Sequence, residues 1–311
     1  MEVILVHKSR GALLRRRIWA ARYLYLMFLP VFLYYVIFRY APMLGLSIAF
    51  KDYNAFLGFD RSPWVGFKYF QQFFNSIYLW RLVRNTLLIN LYDLLFNFPA
   101  AIVLALLLNE VQNRRFKKIT QTITYLPYFV SSVVIASMVV QFLSPSSGIV
   151  NNLIASMGGE RQYFMTQPGA FRTIYTLMNL WKNIGWNSII FLAAISGING
   201  ELYEACMVDG GGYLRRMWHI TLPGIAGTIV VLLIMRLGHV MDAGYETILL
   251  LQNNANLETS DVIGTYVYRR GLKGGEYSYA TAVGMFQSVI GFAMVIFANW
   301  LSRRYSETSL W

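Results

Sequence analysis

Residues 204–223 read EACMVDGGGYLRRMWHITLP and lie between two long apolar segments of the chain. Residues 202–208 contain no helix breaker, so a short helix is expected there. The glycines at 210–212 then allow a sharp turn, because glycine adopts positive φ angles without a steric penalty. A second short helix is expected over 213–220, and Pro223 suits the first turn of the next long helix. The stretch therefore predicts a rigid helix–turn–helix loop.

The overall composition is that of a membrane protein. Hydrophobic residues make up 56% of the 311 residues and charged residues only 14%, whereas soluble domains contain about 25% charged residues. The net charge of +12 is typical of basic cytoplasmic loops and does not call for a nucleic-acid partner. One cysteine and three scattered histidines exclude a disulfide framework and argue against a zinc centre.

Six apolar stretches are long enough to cross about 30 Å of hydrocarbon. They cover residues 23–38, 82–108, 119–143, 174–198, 224–241 and 279–301. Lys and Arg are about twice as dense in one set of intervening segments (1–22, 109–118, 199–223 and 302–311) as in the other set. This asymmetry predicts that both termini and the loop 199–223 are cytoplasmic. The basic N-terminus precedes bulky aromatic residues without a small-residue cleavage site, so the first helix is expected to be uncleaved.

The expected fold class is all-α, a polytopic membrane protein with six transmembrane helices. Four segments are expected along the chain. They are a basic cytoplasmic tail (1–22), the first transmembrane helix with an aromatic external segment (23–81), a transport core (82–301) containing the loop 199–223, and a cytoplasmic C-terminus (302–311).

The spacing within residues 204–223 resembles the EAA loop of permease subunits of binding-protein-dependent ABC importers, written E-A-A-x3-G-x9-I-x-L-P. The matching positions are Glu204, Ala205, Gly210, Ile220, Leu222 and Pro223. Cys206 replaces the usual third-position alanine, one small residue for another. The resemblance implies a type I ABC importer permease fold and a loop that docks into a groove of an ATPase subunit. The residues it assigns to ATPase coupling are Glu204, Ala205, Asp209, Gly210, Arg215, Arg216, Ile220, Leu222 and Pro223.

The resemblance extends over residues 22–305. The stretches SIAFKDY (47–53), ALLLNE (105–110), YLPYF (125–129) and YSYATAVG (277–284) are similar to carbohydrate importer permeases of the polysaccharide and alginate-oligosaccharide subgroup. This resemblance implies a bacterial inner-membrane location and four partners: a second, different permease, an ATPase dimer, an extracytoplasmic solute-binding protein and an oligosaccharide. ATP and Mg²⁺ would bind the ATPase subunits, and no cofactor is expected in this chain.

Polar side chains form stripes along the apolar stretches, and such residues normally face a bundle interior or water. One stripe has Thr86, Asn90, Asp93 and Asn97 spaced three or four residues apart, as on one face of a helix. The candidate substrate-pathway residues come from the next two stretches: Tyr125, Tyr128, Asn179, Trp181, Lys182, Asn183, Trp186 and Asn187. Aromatic faces beside amide and cationic donors suit sugar rings. The alternative is that the stripes only join helices by hydrogen bonds.

Roles are also expected for two cations in the apolar stretches, Lys182 and Arg236. Lys182 either forms a structural ion pair with Asp93 or lines a hydrated cavity that admits an acidic oligosaccharide. Arg236 is expected to satisfy a neighbouring carbonyl group.

Three classes of function compete. The chain contains no P-loop motif and no hydrolase signature, which argues against a membrane enzyme and assigns any ATP hydrolysis to other subunits. The second class is a secondary transporter or channel that is not driven by ATP. Such proteins often use intramembrane carboxylates, and Asp93 is the one acidic residue expected deep in a span. The predicted function is therefore the permease subunit of an ATP-driven oligosaccharide importer, with the secondary transporter as the alternative.

Overall fold

The computed structural model describes residues 19–305. Most of the predicted tail 1–22 and of the C-terminal segment 302–311 lies outside the described residues. The chain divides after Gly66 into two compact units. Within residues 19–305 there is no β-strand, only one isolated bridge between Lys51 and Trp64, so the all-α prediction is confirmed.

The helices follow one another closely along the chain. The α-helices are Arg22–Tyr35, Ala41–Met43, Gly58–Arg61, Lys68–Phe74, Leu79–Tyr92, Phe98–Glu110, Arg114–Tyr125, Ser132–Phe142, Ile149–Ser156, Pro168–Ser196, Gly200–Val208, Tyr213–Arg216, Leu222–Gly224, Ala226–Gly238, Tyr245–Leu251, Leu257–Ser260, Ile263–Val267 and Tyr277–Tyr305. The 3-10 helices are Leu44–Phe50, Leu126–Phe129 and Phe164–Thr166. The π-helical turns are Val36–Tyr40, Asp93–Asn97, Met217–Thr221 and Tyr268–Lys273.

Three continuous helical segments are long and apolar enough to cross a membrane. These are span 1 (Arg22–Phe50), span 2 (Leu79–Glu110) and span 6 (Tyr277–Arg304). Three bent pairs also qualify. They are span 3 (Arg114–Phe129 with Ser132–Phe142, bent by 98°), span 4 (Pro168–Ser196, with Gly200–Val208 after a 73° bend) and span 5 (Ala226–Gly238, with Tyr213–Gly224 before a 59° bend). The shorter helices of spans 4 and 5 are the two arms of the loop 199–223. Counting each pair as one crossing gives the six predicted spans.

Span 3 differs from the prediction of one uninterrupted span over 119–143. Pro127 lies in the 3-10 turn between its two arms, where its missing N–H cannot continue the α-helical ladder. Ser131 then begins the second arm by accepting a hydrogen bond from the Val134 amide at 3.3 Å. At 98° the bend at this proline turns the chain almost perpendicular to its first direction.

Glycines allow neighbouring spans to approach closely. Span 4 packs along spans 2 and 3, and span 5 packs along span 6. At the span 3–span 4 crossing, a β-carbon on Gly185 would lie 2.1 Å from the Thr124 carbonyl oxygen. At the span 5–span 6 crossing, a β-carbon on Gly291 would lie 2.7 Å from the Gly238 carbonyl oxygen. Small residues at helix crossings are typical of membrane proteins, where lipid is as apolar as the side chains.

Of the three apolar clusters that the described residues form in the second unit, two lie at opposite ends of spans 2 and 4. The loop-side cluster lies beside the loop 199–223 and consists of Ala101, Ala105, Leu106, Phe191, Ile195 and Ile225. The distal cluster consists of Ile89, Ile135, Ala136, Phe171, Tyr175, Met178, Ala243, Ile248, Leu251 and Val262. Spans 2 and 4 contribute to both clusters, so the residues between the clusters lie in the middle of these spans.

The aromatic segment after span 1 folds back on itself. Phe50 stacks on Trp64 with ring centroids 5.6 Å apart. The Lys51 ammonium donates to the Phe59 carbonyl at 2.8 Å and lies over the Phe59 ring. The large apolar side chains of span 1 are exposed, as is expected of a helix whose surroundings are lipid or another membrane subunit.

We predict that Gly185→Ala destabilises the protein by about 1–3 kcal/mol, since overpacking forces spans 3 and 4 apart. Gly284→Ala is the matched control, because a β-carbon on this span 6 glycine meets no atom within 4 Å. Thermal unfolding of both variants in detergent measures the difference. Equal melting temperatures for the two variants would contradict the assigned crossing.

Candidate functional site

The loop 199–223 has two helical arms joined by a glycine turn. The Asn199 side chain caps the first arm, Gly200–Val208, by accepting from the Glu201 amide at 3.0 Å. Gly210 has a φ angle of 71°, a conformation that costs other residues energy. The Tyr203 hydroxyl lies 3.0 Å from the Thr221 hydroxyl, which ties the first arm to the end of the second. The predicted helix–turn–helix loop is therefore present.

Gly211 in the turn is buried against the first arm. A β-carbon on Gly211 would lie 2.3 Å from the Cys206 sulfur and 2.7 Å from the Cys206 carbonyl oxygen. The Gly211 amide donates to that same carbonyl at 2.7 Å. The contact explains why only a small residue suits position 206 and why a second glycine must follow Gly210.

The nine predicted coupling residues divide into an exposed group and a half-buried group. Glu204, Ala205, Asp209, Gly210, Arg215 and Pro223 are exposed, whereas Arg216, Ile220 and Leu222 are half-buried. Arg216 forms an ion pair of 3.7 Å with Glu110 at the end of span 2, and Leu222 packs against the loop-side cluster. These two residues thus attach the loop to the bundle, and the exposed residues form the surface available to a partner.

Two cavities lie in the second unit and share part of their lining; the distal one is mainly polar and the loop-side one mainly apolar. The distal cavity has a volume of about 320 Å³, and its lining includes Asn90, Asn179, Lys182 and Asn183. The loop-side cavity has a volume of about 250 Å³, and its lining includes Asn97, Phe98, Asn187 and Phe191. Asp93, Arg236 and His239 line both cavities. Asn90, Asp93 and Asn97 of span 2 and the amides of span 4 therefore form a polar region that lines the two adjoining cavities. Thr86 does not belong to it, because its buried hydroxyl accepts from the Ile263 amide at 3.1 Å.

Asp93 forms an ion pair with Arg236 of span 5 and accepts a 2.6 Å hydrogen bond from Asn97. The alternative that Asp93 pairs with Lys182 is therefore wrong, because the nearer guanidinium occupies the carboxylate. Arg236 does not play its expected role of satisfying a carbonyl group. Among the residues described, no carboxylate lies within ion-pair distance of Lys182, whose ammonium donates to the Ser132 hydroxyl at 2.7 Å.

The predicted aromatic residues lie outside these cavities. Tyr128 and Trp186 stack on each other with centroids 4.4 Å apart and an interplanar angle of 2°. Tyr125 packs beside Gly185 at the span 3–span 4 crossing. Trp181 is exposed and lines neither cavity. The structure thus brings together the amides and Lys182, while the four aromatic residues lie apart from them.

Sequence reasoning missed several residues of the polar region. The distal cavity is also lined by Tyr175, Arg236, His239, Asp242 and Thr247. One of these residues, Arg236, could have been found from the sequence, because it is an isolated cation in an apolar stretch and a charge in a span is costly unless it is paired or hydrated. No sequence pattern indicated the contacts that Glu110 and Tyr203 make with Arg216 and Thr221 of the loop.

Comparison with known protein families gives a match over residues 98–307 to the family described as binding-protein-dependent transport system inner membrane component. Two relatives from Bacillus subtilis (strain 168) match almost the whole chain. Protein LplB is 45% identical over 93% of this chain and 91% of its own length. The polygalacturonan/rhamnogalacturonan transport system permease protein YteP is 42% identical over 100% of this chain and 97% of its own length.

Solved structures give the same result. A chain of a bacterial ABC transporter involved in the import of the acidic polysaccharide alginate superposes with a TM-score of 0.88 and is 46% identical, with 94% of this chain and 99% of that chain covered. A second structure shows such a transporter in complex with an alginate pentasaccharide-bound periplasmic protein, with the same TM-score and identity and with 95% and 99% of the two chains covered.

We predict that Gly211→Ala displaces Cys206 and raises the rate of its alkylation by a maleimide severalfold, because a methyl group cannot share the space of the sulfur. Cys206 is the one cysteine of the chain, so mass spectrometry of this subunit reads the rate directly. Gly212→Ala is the control, since a β-carbon there meets no atom within 4 Å. An unchanged rate in Gly211→Ala would contradict the contact.

Proposed function

The chain belongs to the binding-protein-dependent transport system inner membrane component family, and from this premise we propose that it forms half of the translocation pathway of an ATP-driven oligosaccharide importer. It is a permease subunit and not an enzyme, because the family is a transport component. Its apolar helices are those of a multi-pass membrane protein. The type I importer fold is supported by the superposition on the alginate transporter chain, with its TM-score of 0.88.

The proposed assembly contains this chain and a second, different permease. Two ATPase subunits bind ATP and Mg²⁺ on the cytoplasmic side, and a solute-binding protein docks on the opposite side. Support comes from the family description, which names binding-protein-dependent transport, and from the related complex with a periplasmic protein. The chain lies in the bacterial cytoplasmic membrane with both termini cytoplasmic, as the distribution of Lys and Arg indicates.

The loop 199–223 is proposed to couple ATP hydrolysis to transport. Its exposed residues include Glu204 and Asp209 on the first arm and Arg215 on the second. These can form charge-assisted hydrogen bonds with the ATPase, each worth about 1.5–3 kcal/mol. Because the loop is attached to spans 2 and 4 through Arg216 and Leu222, it can transmit a displacement of the ATPase to the bundle. ATP binding would thereby open the pathway outward.

Gly210→Val tests this coupling role. Valine at a φ angle of 71° is strained by about 1–3 kcal/mol, so the turn must rearrange and the arms lose their relative orientation. We expect oligosaccharide uptake per ATP hydrolysed to fall in proteoliposomes, while the membrane domain stays inserted. Gly212→Ala is the control for a nearby glycine at an ordinary φ angle. Normal coupling in Gly210→Val would contradict the proposal, and uptake without ATPase subunits would favour the secondary transporter.

An acidic oligosaccharide is the proposed substrate. The related transporters are described as handling alginate or polygalacturonan/rhamnogalacturonan. Lys182 lines the distal cavity among Asn179 and Asn183. A cationic lining lowers the barrier for a passing carboxylate, and the amides can donate to hydroxyl groups. The secondary-transporter alternative has less support, because Asp93 is ion-paired with Arg236 and is not available as a free coupling carboxylate.

Lys182→Gln is expected to slow uptake of an acidic oligosaccharide by about tenfold, the equivalent of one charge-assisted hydrogen bond, with little change in melting temperature. Ser132→Ala is the matched control. It removes the hydrogen-bond partner of Lys182 but keeps the positive charge, so uptake should remain close to normal. Equal uptake by wild type and Lys182→Gln would remove Lys182 from the pathway.

A further inference from the structure

The ion pair between Asp93 and Arg236 lies at the boundary of the two cavities. Asp93 belongs to span 2 and Arg236 to span 5, and both residues line the distal and the loop-side cavity. Span 4, in contrast, lines the two cavities with different residues. Residues from Asn179 to Asn183 line the distal cavity, and residues from Asn187 to Phe191 line the loop-side cavity. The pair therefore joins two spans at the point where one cavity passes into the other.

The two partners differ in their exposure. The Asp93 side chain is 15% exposed and the Arg236 side chain 46%. A guanidinium presents five N–H donors in a planar fork, and one carboxylate uses only part of that fork. Arg236 can therefore face a molecule in the cavity while it still contacts Asp93.

Asp93 has a second partner that would remain if Arg236 moved away. The Asn97 amide donates to its Oδ1 atom at 2.6 Å, whereas Arg236 contacts its Oδ2 atom. Asp93 and Asn97 begin and end a π-helical turn in span 2, a deviation from the α-helix that is frequent at functional sites. The carboxylate can therefore release the guanidinium without losing every hydrogen bond.

The charges of the distal cavity balance when it contains no substrate. Lys182 and Arg236 are the cations, and Asp93 and Asp242 are the anions, with His239 also in the wall. Asp242 is exposed, and its carboxylate accepts from the Gly244 amide at 3.2 Å. An incoming carboxylate therefore finds Lys182 without a carboxylate partner and Arg236 held by Asp93.

We propose that the Asp93 carboxylate occupies the position on Arg236 that a substrate carboxylate takes during transport. A uronate group of the oligosaccharide displaces Asp93 from Arg236 and is bound by Arg236 and Lys182 together. Displacement breaks the link between spans 2 and 5 and opens the boundary between the two cavities. The proposal rests on the acidic substrate proposed above, and it makes Arg236 a residue that determines specificity for charge.

The test measures affinity for a galacturonate oligomer and for its methyl ester, which has the same rings without the charges. Binding to the detergent-solubilised complex without binding protein is followed by thermal shift over a range of ligand concentrations. We expect Arg236→Gln to weaken binding of the acid about tenfold or more, the loss of a charge-assisted contact. Asp93→Asn keeps a hydrogen-bonding group beside Asn97 and removes the competing charge, so it should tighten binding of the acid by a similar factor.

The pair of variants separates substrate recognition from a structural role. If Asp93→Asn and Arg236→Gln weaken binding of the acid alike, or change binding of acid and ester equally, the ion pair is only structural and the inference fails. Should Arg236→Gln not fold, Asp93→Asn is compared with Asp242→Asn, which removes a carboxylate from the same cavity wall but not the one that contacts Arg236. Tighter binding of the acid in Asp93→Asn alone supports displacement, whereas equal tightening in both variants is a general charge effect and overturns it. A wild-type complex that neither binds nor transports the acid contradicts the proposed substrate class instead.

Discussion

The ion pair between Asp93 and Arg236 constrains the arrangement of the whole second unit. An unpaired charge near the middle of a membrane costs at least about 2.5–3.5 kcal/mol. Spans 2 and 5 must therefore meet where these two residues lie. The polar groups around the pair follow from the same requirement, since Asn97 completes the hydrogen bonding of Asp93. Apolar clusters close the bundle on either side.

Close helix crossings maintain the position of that polar region. Gly185 sets the distance between spans 3 and 4, and Gly238 and Gly291 set the distance between spans 5 and 6. Gly185 precedes Asn187 by half a turn, and Gly238 follows Arg236 by the same interval. The glycines thus fix the helices beside the residues that line the cavities. A larger residue at either crossing would therefore disturb the helix packing and, with it, displace the polar side chains that line the cavities.

The sequence predicted most of the fold because apolar length and glycine spacing are local signals. The spans, the loop 199–223 and the turn at Gly210 were all within reach of such patterns. Contacts between residues distant in the chain could not be predicted in this way. Arg236 lies 143 positions from Asp93, and the periodicity of one helix does not identify the helix that faces it. The same limit explains the wrong Lys182–Asp93 alternative. Tyr128 and Trp186 occupied favourable positions for sugar stacking, yet in the structure each ring covers the other.

Span 5 connects the loop to the ion pair. Ile225 is fully buried in the loop-side cluster at the bend before Ala226–Gly238, and Arg236 lies about 16 Å further along that helix at 1.5 Å per residue. No break interrupts the helix between them. In the proposed coupling, a displacement of the loop that is not absorbed at the 59° bend would reach Arg236, while Glu110 and Arg216 would carry the same displacement to span 2. Arg236 lies on the helix that continues from the loop, and Asp93 lies on the span that the Glu110–Arg216 ion pair joins to the loop, so the proposed coupling would act on both partners of the central ion pair.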